Sequence, residues 1–153
     1  MANRQAFDEL EFQPRVLRDV SHIDLQRTIL GATCSLPFAI APTGFNGLLW
    51  HQGDLALARA AAFKGIAFAQ STVSNVTIAE VAVTPRLQHW FQLYLYGQDP
   101  VWERLLQQAA TAGCEVIMLT VDSPVLGNRE WDRRNYQSGF TPTFASKLDM
   151  LHH

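Results

Sequence analysis

Long apolar runs are absent from this chain, and no stretch approaches the ~18 residues that a membrane-spanning helix needs. The opening residues Met1, Ala2, Asn3, Arg4, Gln5, Ala6, Phe7 and Asp8 lack the apolar core of a signal sequence. The expectation is a protein that neither spans a membrane nor is secreted. Cysteine is scarce as well. Cys34 and Cys114 lie far apart, in apolar surroundings and without CxxC or Cys/His ligand spacing. They read as reduced structural residues, which argues against a metal site and for a cytosolic compartment. Only 17% of the residues are charged, against about 25% in an average protein, so much of the surface is expected to be covered. A formal net charge of -2 gives no electrostatic reason to expect nucleic acid or an anionic membrane as partner. What the chain does have is apolar content, 48% of 153 residues, enough for the core of one ordinary domain.

Residues 1–36 interleave apolar and charged side chains, with a turn expected at Leu30, Gly31 and Ala32, and read as an irregular lead-in packed across the outside of a domain. Residues 37–44, Pro-Phe-Ala-Ile-Ala-Pro-Thr-Gly, then bring a short apolar strand to a turn. Its proline fixes φ, its threonine offers a hydroxyl, and its glycine lets backbone approach a flat ligand closely. Residues 54–64 are alanine-rich and stop at Gly65, as a helix should. A strand follows at once over residues 66–70, before Ser71 and Thr72. Thr77 and Glu80 have capping-box spacing, which predicts a short helix to about Val83, closed by Pro85.

The next unit is the most regular. Asp99 can cap, Pro100 fits a first helical turn, and Trp102, Leu105, Leu106 and Ala109 recur at helical spacing until Gly113. Residues 116–121 read as a strand buried on both faces. Strands thus start near 38, 66, 89 and 116, a repeat of roughly 25 residues, and each ends in small or polar side chains. Parallel strands with polar C-terminal ends are how a (β/α)8 barrel builds its active site. Four strands are half of such a barrel. The expected organisation is a lead-in over 1–36 and a half-barrel over 37–153, cut off in the loop after strand four.

In order and spacing the residues resemble the FMN-dependent L-2-hydroxy acid oxidases and dehydrogenases, a family that includes glycolate oxidase, lactate oxidase, the flavin domain of flavocytochrome b2 and mandelate dehydrogenase. The resemblance runs from about Ala6 to Tyr136. It rests on Pro14-Arg15-Val16-Leu17-Arg18-Asp19-Val20, Ala41-Pro42-Thr43-Gly44, Gly53-Asp54 with Ala58-Arg59-Ala60-Ala61, and Ser71-Thr72. It continues through Trp90-Phe91-Gln92-Leu93-Tyr94, Leu119-Thr120-Val121-Asp122-Ser123-Pro124-Val125-Leu126-Gly127, and Arg129-Glu130 with Asp132 and Arg134-Asn135. The run Pro42-Thr43-Gly44-Phe45-Asn46-Gly47-Leu48-Leu49-Trp50 is most similar to the mandelate dehydrogenase branch; many relatives have Ala at the Gly44 position.

The resemblance implies FMN as cofactor, a small-molecule 2-hydroxy acid as substrate and a separate electron acceptor. It implies that Pro42, Thr43 and Gly44 lie against the isoalloxazine ring, and that Ser71, Gln92 and Thr120 bond its pyrimidine end, which needs donors and acceptors together. Tyr94 is implied to face the substrate carboxylate or hydroxyl, and Arg129 to pair with the carboxylate. Asp122 is implied to orient a histidine base. That base, the lysine beside flavin N1, a second arginine and the phosphate cradle belong to the other half of the barrel. None of His22, His51, His89, His152 or His153 sits in the matching motif. A homo-oligomer, tetrameric by family, is implied for the full-length protein. Its expected place is the cytoplasm, with peripheral contact at the inner face of the membrane, through a loop beyond this chain, as the alternative.

Simpler readings compete residue by residue. Trp90 and Phe91 suit barrel and helix packing; Trp50, Tyr96 and Trp131 suit either packing or pocket walls. Asp122, just before Pro124, could cap a turn, and Arg129 stands among Glu130, Asp132, Arg133 and Arg134, where a solvated ion-pair cluster is the plain alternative. For function, the competing reading is a catalytically inactive fragment that serves only as a folding or association unit. A flavin barrel with another reaction, such as an isomerase, would not need the set Tyr94, Asp122 and Arg129. Gly44 and Val73 stand where relatives that prefer small acids carry Ala and Trp, which predicts a preference for bulky, mandelate-like acids.

Overall fold

A computed structural model of the chain describes residues 2–95, 99–122, 130 and 134. The lead-in is not wholly irregular: it holds helix α1 (Ala2–Asp8) and an antiparallel hairpin, β1 (Arg27–Ile29) and β2 (Ala32–Cys34), turning at Leu30 and Gly31 with φ of 48° and 88°. Gly31 meets nothing within 4 Å where a Cβ would stand, so its positive φ and not crowding asks for glycine. Residues 2–28 are exposed throughout, and only Ile29, Ala32 and Cys34 of the hairpin turn inward. Phe12 and Leu17 touch no described core at all.

The strand expected at residue 38 is reduced to one parallel bridge, Ile40 to Phe68. Ile40 N–H donates to Ala67 O and Ala69 N–H donates to Ile40 O, at 2.9 and 3.0 Å. The prolines at 37 and 42 supply no N–H, so the segment can carry only a short ladder between them. A 3-10 turn (Asn46–Leu48) leads into helix α2 (Gly53–Lys64), which closes on Gly65 at φ 64°. There Ile66 N–H reaches back to Ala61 O at 3.0 Å, the reverse-turn closure that a left-handed glycine permits.

The main sheet is three parallel strands in the order β3 (Ala67–Ser71), β4 (Gln88–Tyr94), β5 (Val116–Thr120). Helix α3 (Ile78–Ala82) connects the first two and α4 (Asp99–Thr111) the second pair. The α3 capping box forms as its spacing predicts: Thr77 N–H donates to Glu80 Oε2 at 2.7 Å and Glu80 N–H to Thr77 Oγ1 at 3.2 Å. Asp99, expected as a cap, is itself the first helical residue of α4.

Strand alternation sorts the apolar side chains into two layers. Ala67, Ala69 and Trp90 pack with Val116, Met118, Ala39 and Ile29 on one face. On the other, Phe68 packs with Leu55, Ala58 and Ala61 of α2, and Phe91 and Leu93 pack with Trp102, Leu105, Leu106 and Ala109 of α4. Trp90 and Phe91 are therefore packing residues. The expectation that β5 is buried on both faces fails. Ile117 and Leu119 are 42% and 51% exposed, because α4 covers Phe91 and Leu93 but no described element covers the outer side of β5.

Candidate active site

The polar residues meet at the C-terminal ends of the parallel strands. Ser71 pairs with Gln92 in register, and Tyr94 with Thr120. Gln92, 2% exposed, joins all three strands: its Oε1 accepts from Ser71 Oγ at 3.2 Å and from Thr72 N–H at 3.3 Å, and its Nε2 donates to Thr120 Oγ1 at 2.8 Å. A backbone N–H can only donate, so the contact with Thr72 decides which end of the amide is which. Thr72 fastens the same strands a second time. Its Oγ1 donates to Gln92 O at 2.5 Å and accepts from Tyr94 N–H at 3.1 Å. Tyr94 is half-buried at the edge of this cluster, and Asp122 is exposed two residues past β5.

The turn Pro42, Thr43, Gly44 leaves the sheet at the same end, because Ile40 runs parallel to Phe68. Its shape is held from below by two side chains. Asn46 Nδ2 donates to Thr43 O at 3.0 Å and to Asp54 Oδ1 at 2.9 Å; Asp54 is 1% exposed, and its Oδ2 has no partner among the described residues. A carboxylate in the first turn of α2 suits the positive end of the helix. From the side the turn is tied to the loop after β3: Phe45 N–H donates to Val73 O at 3.0 Å and Gly47 N–H to Asn75 Oδ1 at 2.9 Å. The two segments are so close that a Cβ on Gly44 would stand 2.5 Å from Val73 Cγ2.

Of the expected site residues, the structure brings Ser71, Gln92 and Thr120 into one hydrogen-bonded chain and sets Tyr94 beside it. It binds the turn of Pro42, Thr43 and Gly44 to the neighbouring loop and leaves Asp122 at the rim. Arg129, Tyr96 and Trp131 lie outside the described residues. The ion pair of Glu130 and Arg134, 3.0 Å and exposed at both ends, is the solvated pairing that the charge cluster suggested. Trp50 is 73% exposed among the described residues, so it is not a core packing residue there. Sequence reasoning assigned no part to Thr72, Asn46 or Asp54. The Gly53-Asp54 and Phe45-Asn46-Gly47 runs are visible in the sequence, but the contact of Asn46 with Asp54 across the start of α2 is not. Among the described residues no group of three or more His, Cys, Asp or Glu could hold a metal ion.

Parallel strands, helices returning between them and a polar rim at the C-terminal ends are the layout of a (β/α)8-barrel segment. The model of the FMN-dependent dehydrogenase family matches residues 1–153, and the chain belongs to that family. It is 44% identical over 138 residues to the L-lactate oxidase of Nostoc sp., covering 87% of this chain and 38% of that protein. To the (S)-mandelate dehydrogenase of Pseudomonas putida it is 43% identical over 133 residues, covering 87% and 34%. A solved structure of an oxidised active mutant of (S)-mandelate dehydrogenase superposes with a TM-score of 0.85 at 40% identity, covering 97% of this chain and 41% of that one. The chain therefore spans less than half the length of the relatives it matches, and its fold is the corresponding part of their barrel.

The cofactor of this family is FMN, and the donor set fits it. Ser71, Gln92 and Thr120 place hydroxyl and amide groups, able both to donate and to accept, across the C-terminal ends of three strands. Gly44 has no room for a side chain on its Val73 side, so the turn presents bare backbone.

Proposed function

We propose that this chain supplies the first half of the active site of an enzyme that oxidises an L-2-hydroxy acid to the 2-keto acid. The observation that carries the reading is the Gln92 amide, fixed by Thr72 and shared between Ser71 and Thr120 beside a glycine turn. Pro42, Thr43 and Gly44 would lie against the flavin ring, and Ser71, Gln92 and Thr120 would bond its polar pyrimidine end. FMN, when bound, would supply the redox chemistry, while the chain's own residues orient and bind. Tyr94 donates its phenol proton in a hydrogen bond to the substrate carboxylate or hydroxyl, and Arg129 pairs with the carboxylate. Asp122, at the rim beyond β5, orients and charge-stabilises the histidine base of the other barrel half.

The substrate is bulky and mandelate-like, since Gly44 and Val73 are small where bulk would otherwise fill the space beside the ring. Gly44 also favours a dehydrogenase over an oxygen-using oxidase. The full-length protein is a homo-oligomer in the cytoplasm, or held peripherally at the membrane. One relative is a monotopic membrane protein, and among the described residues no helix is long and apolar enough to cross a membrane.

The test is kcat/KM of the full-length protein for mandelate, lactate and glycolate, repeated with Val73→Trp. Mandelate is expected to lead by about 1–3 kcal/mol of discrimination per methylene-sized step, and the variant to lose that lead. Glycolate as the best substrate, or an unchanged mandelate rate in the variant, would overturn the specificity. The isolated 153-residue chain is expected to show no turnover with added FMN and an artificial acceptor. Turnover there, abolished by Asp122→Asn, would mean that the catalytic machinery has been misplaced.

A further inference from the structure

One buried polar cluster takes no part in the site just described. Gln70 and His89, 1% and 4% exposed, face each other across β3 and β4 on the helix side of the sheet, opposite to Ser71 and Gln92. Gln70 Nε2 donates to Val76 O at 2.9 Å, and its Oε1 lies 3.0 Å from His89 Nε2. A carbonyl can only accept, so the amide nitrogen of Gln70 must face Val76 and its oxygen must face the imidazole. His89 is therefore the donor, through Nε2–H, and its Nδ1 is a bare acceptor. That Nδ1 is buried with no partner among the described residues. Burial pushes the imidazole pKa down to about 4, so the ring is neutral in ordinary buffers.

A pair that leaves one ring nitrogen orphaned is a poor device for stability, since two apolar side chains would fill the space without that cost. What the pair does achieve is a fixed amide aimed at Val76. Residues 72–76 form the loop between β3 and the Thr77 cap, and this loop is held at each end and in the middle. Thr72 is bound to Gln92 at its start, Val73 O receives Phe45 N–H in its middle, and Val76 O receives Gln70 Nε2 at its end.

We propose that Gln70 and His89 are positioning residues: they clamp the Val76 carbonyl and so set where Val73 stands against Gly44. This assignment bears on the reaction only through the reading that the Gly44 turn meets the flavin. Its test is made without flavin, so the two can fail separately. In the 153-residue chain, 15N NMR of the imidazole is expected to show the Nε2–H tautomer of His89. The Nδ1–H tautomer would overturn the proposal, because Gln70 Oε1 would then face an acceptor. Amide hydrogen exchange gives the second readout. His89→Leu and Gln70→Leu are expected to speed exchange at Phe45, whose N–H meets Val73 O, by about tenfold. Ala69 and Ile66, bonded to Ile40 and Ala61, should be unaffected. His89→Gln, which keeps a donor near the Nε2 position, should restore the slow rate. Where a single variant does not fold, Gln70→Leu with His89→Leu leaves neither partner orphaned and is expected to show the same local acceleration. An unchanged Phe45, or equal acceleration at all three amides, would overturn the proposal and leave ordinary packing as the role of the pair.

Discussion

Gln70 and Ser71 are neighbours on β3, yet the two polar clusters they enter behave as opposites. On the inner face, Ser71, Gln92 and Thr120 form a chain across three strands whose hydroxyls keep capacity for further bonds at the strand ends. On the outer face, Gln70 and His89 form a short chain that ends on a backbone carbonyl and is sealed by helices. The difference comes from the two-residue period of a strand, which sends adjacent side chains to different environments. Polar groups at the open rim can serve a ligand. Polar groups under the helices can serve only the backbone, so burial there must be repaid by fixing something in place.

The comparison can be broken at its centre. Gln92→Leu removes the partner of Ser71, Thr72 and Thr120 at once and leaves the Thr72 N–H buried and unpaired. The expected loss is about 3 kcal/mol in urea unfolding, and a loss under about 1 kcal/mol would mean that the inner chain is not a structural tie.

The outer pair should reveal itself through pH. Because the folded pKa of His89 is depressed from 6.5 to about 4, the unfolded chain binds the extra proton between those values. Stability contributed by the neutral ring is complete above pH 6.5 and falls as the pH drops toward 4, by about 2–3 kcal/mol over that window. His89→Leu should flatten this slope, and an identical slope in variant and parent would refute the assignment.

The contact between the Gly44 turn and the Val73 loop sharpens the contrast. Gly44→Ala forces a Cβ to 2.5 Å from Val73 Cγ2, which should cost about 1–2 kcal/mol of overpacking. Val73→Ala in the same chain should recover most of that cost, and additive losses in the double-mutant cycle would show that the two residues do not press on each other. The smallest effect belongs to the exposed cap of α3. Thr77→Ala is expected to cost about 1 kcal/mol, read as a shift of the urea midpoint at neutral pH.

Much of this was legible in residue order. The helices of residues 53–64 and 99–111 announce themselves through alanine content, glycine stops and the spacing of Trp102, Leu105, Leu106 and Ala109. The Thr77 and Glu80 capping box is local chemistry between residues three apart, and it forms as its spacing predicts. Ser71, Gln92 and Thr120 are nominated by the family resemblance, and Ser71 and Thr120 also stand where an apolar strand turns polar. The strand near residue 38 was overestimated, since an apolar run between two prolines looks longer than its hydrogen bonding allows. For β5 an apolar composition stood in for burial, although burial depends on which element lies alongside.

Sequence by itself therefore determined the periodic elements, their stops, and which residue types end each strand, since these depend on neighbours a few positions apart. Only the tertiary structure decided that Gln92 links three strands, that Asn46 and Asp54 hold the turn before Gly44, and that His89 is a buried donor rather than a surface side chain. Those facts join residues 8 to 28 positions apart. Their chemistry exists only once parallel pairing has set the register and burial has removed the water that would otherwise satisfy each group.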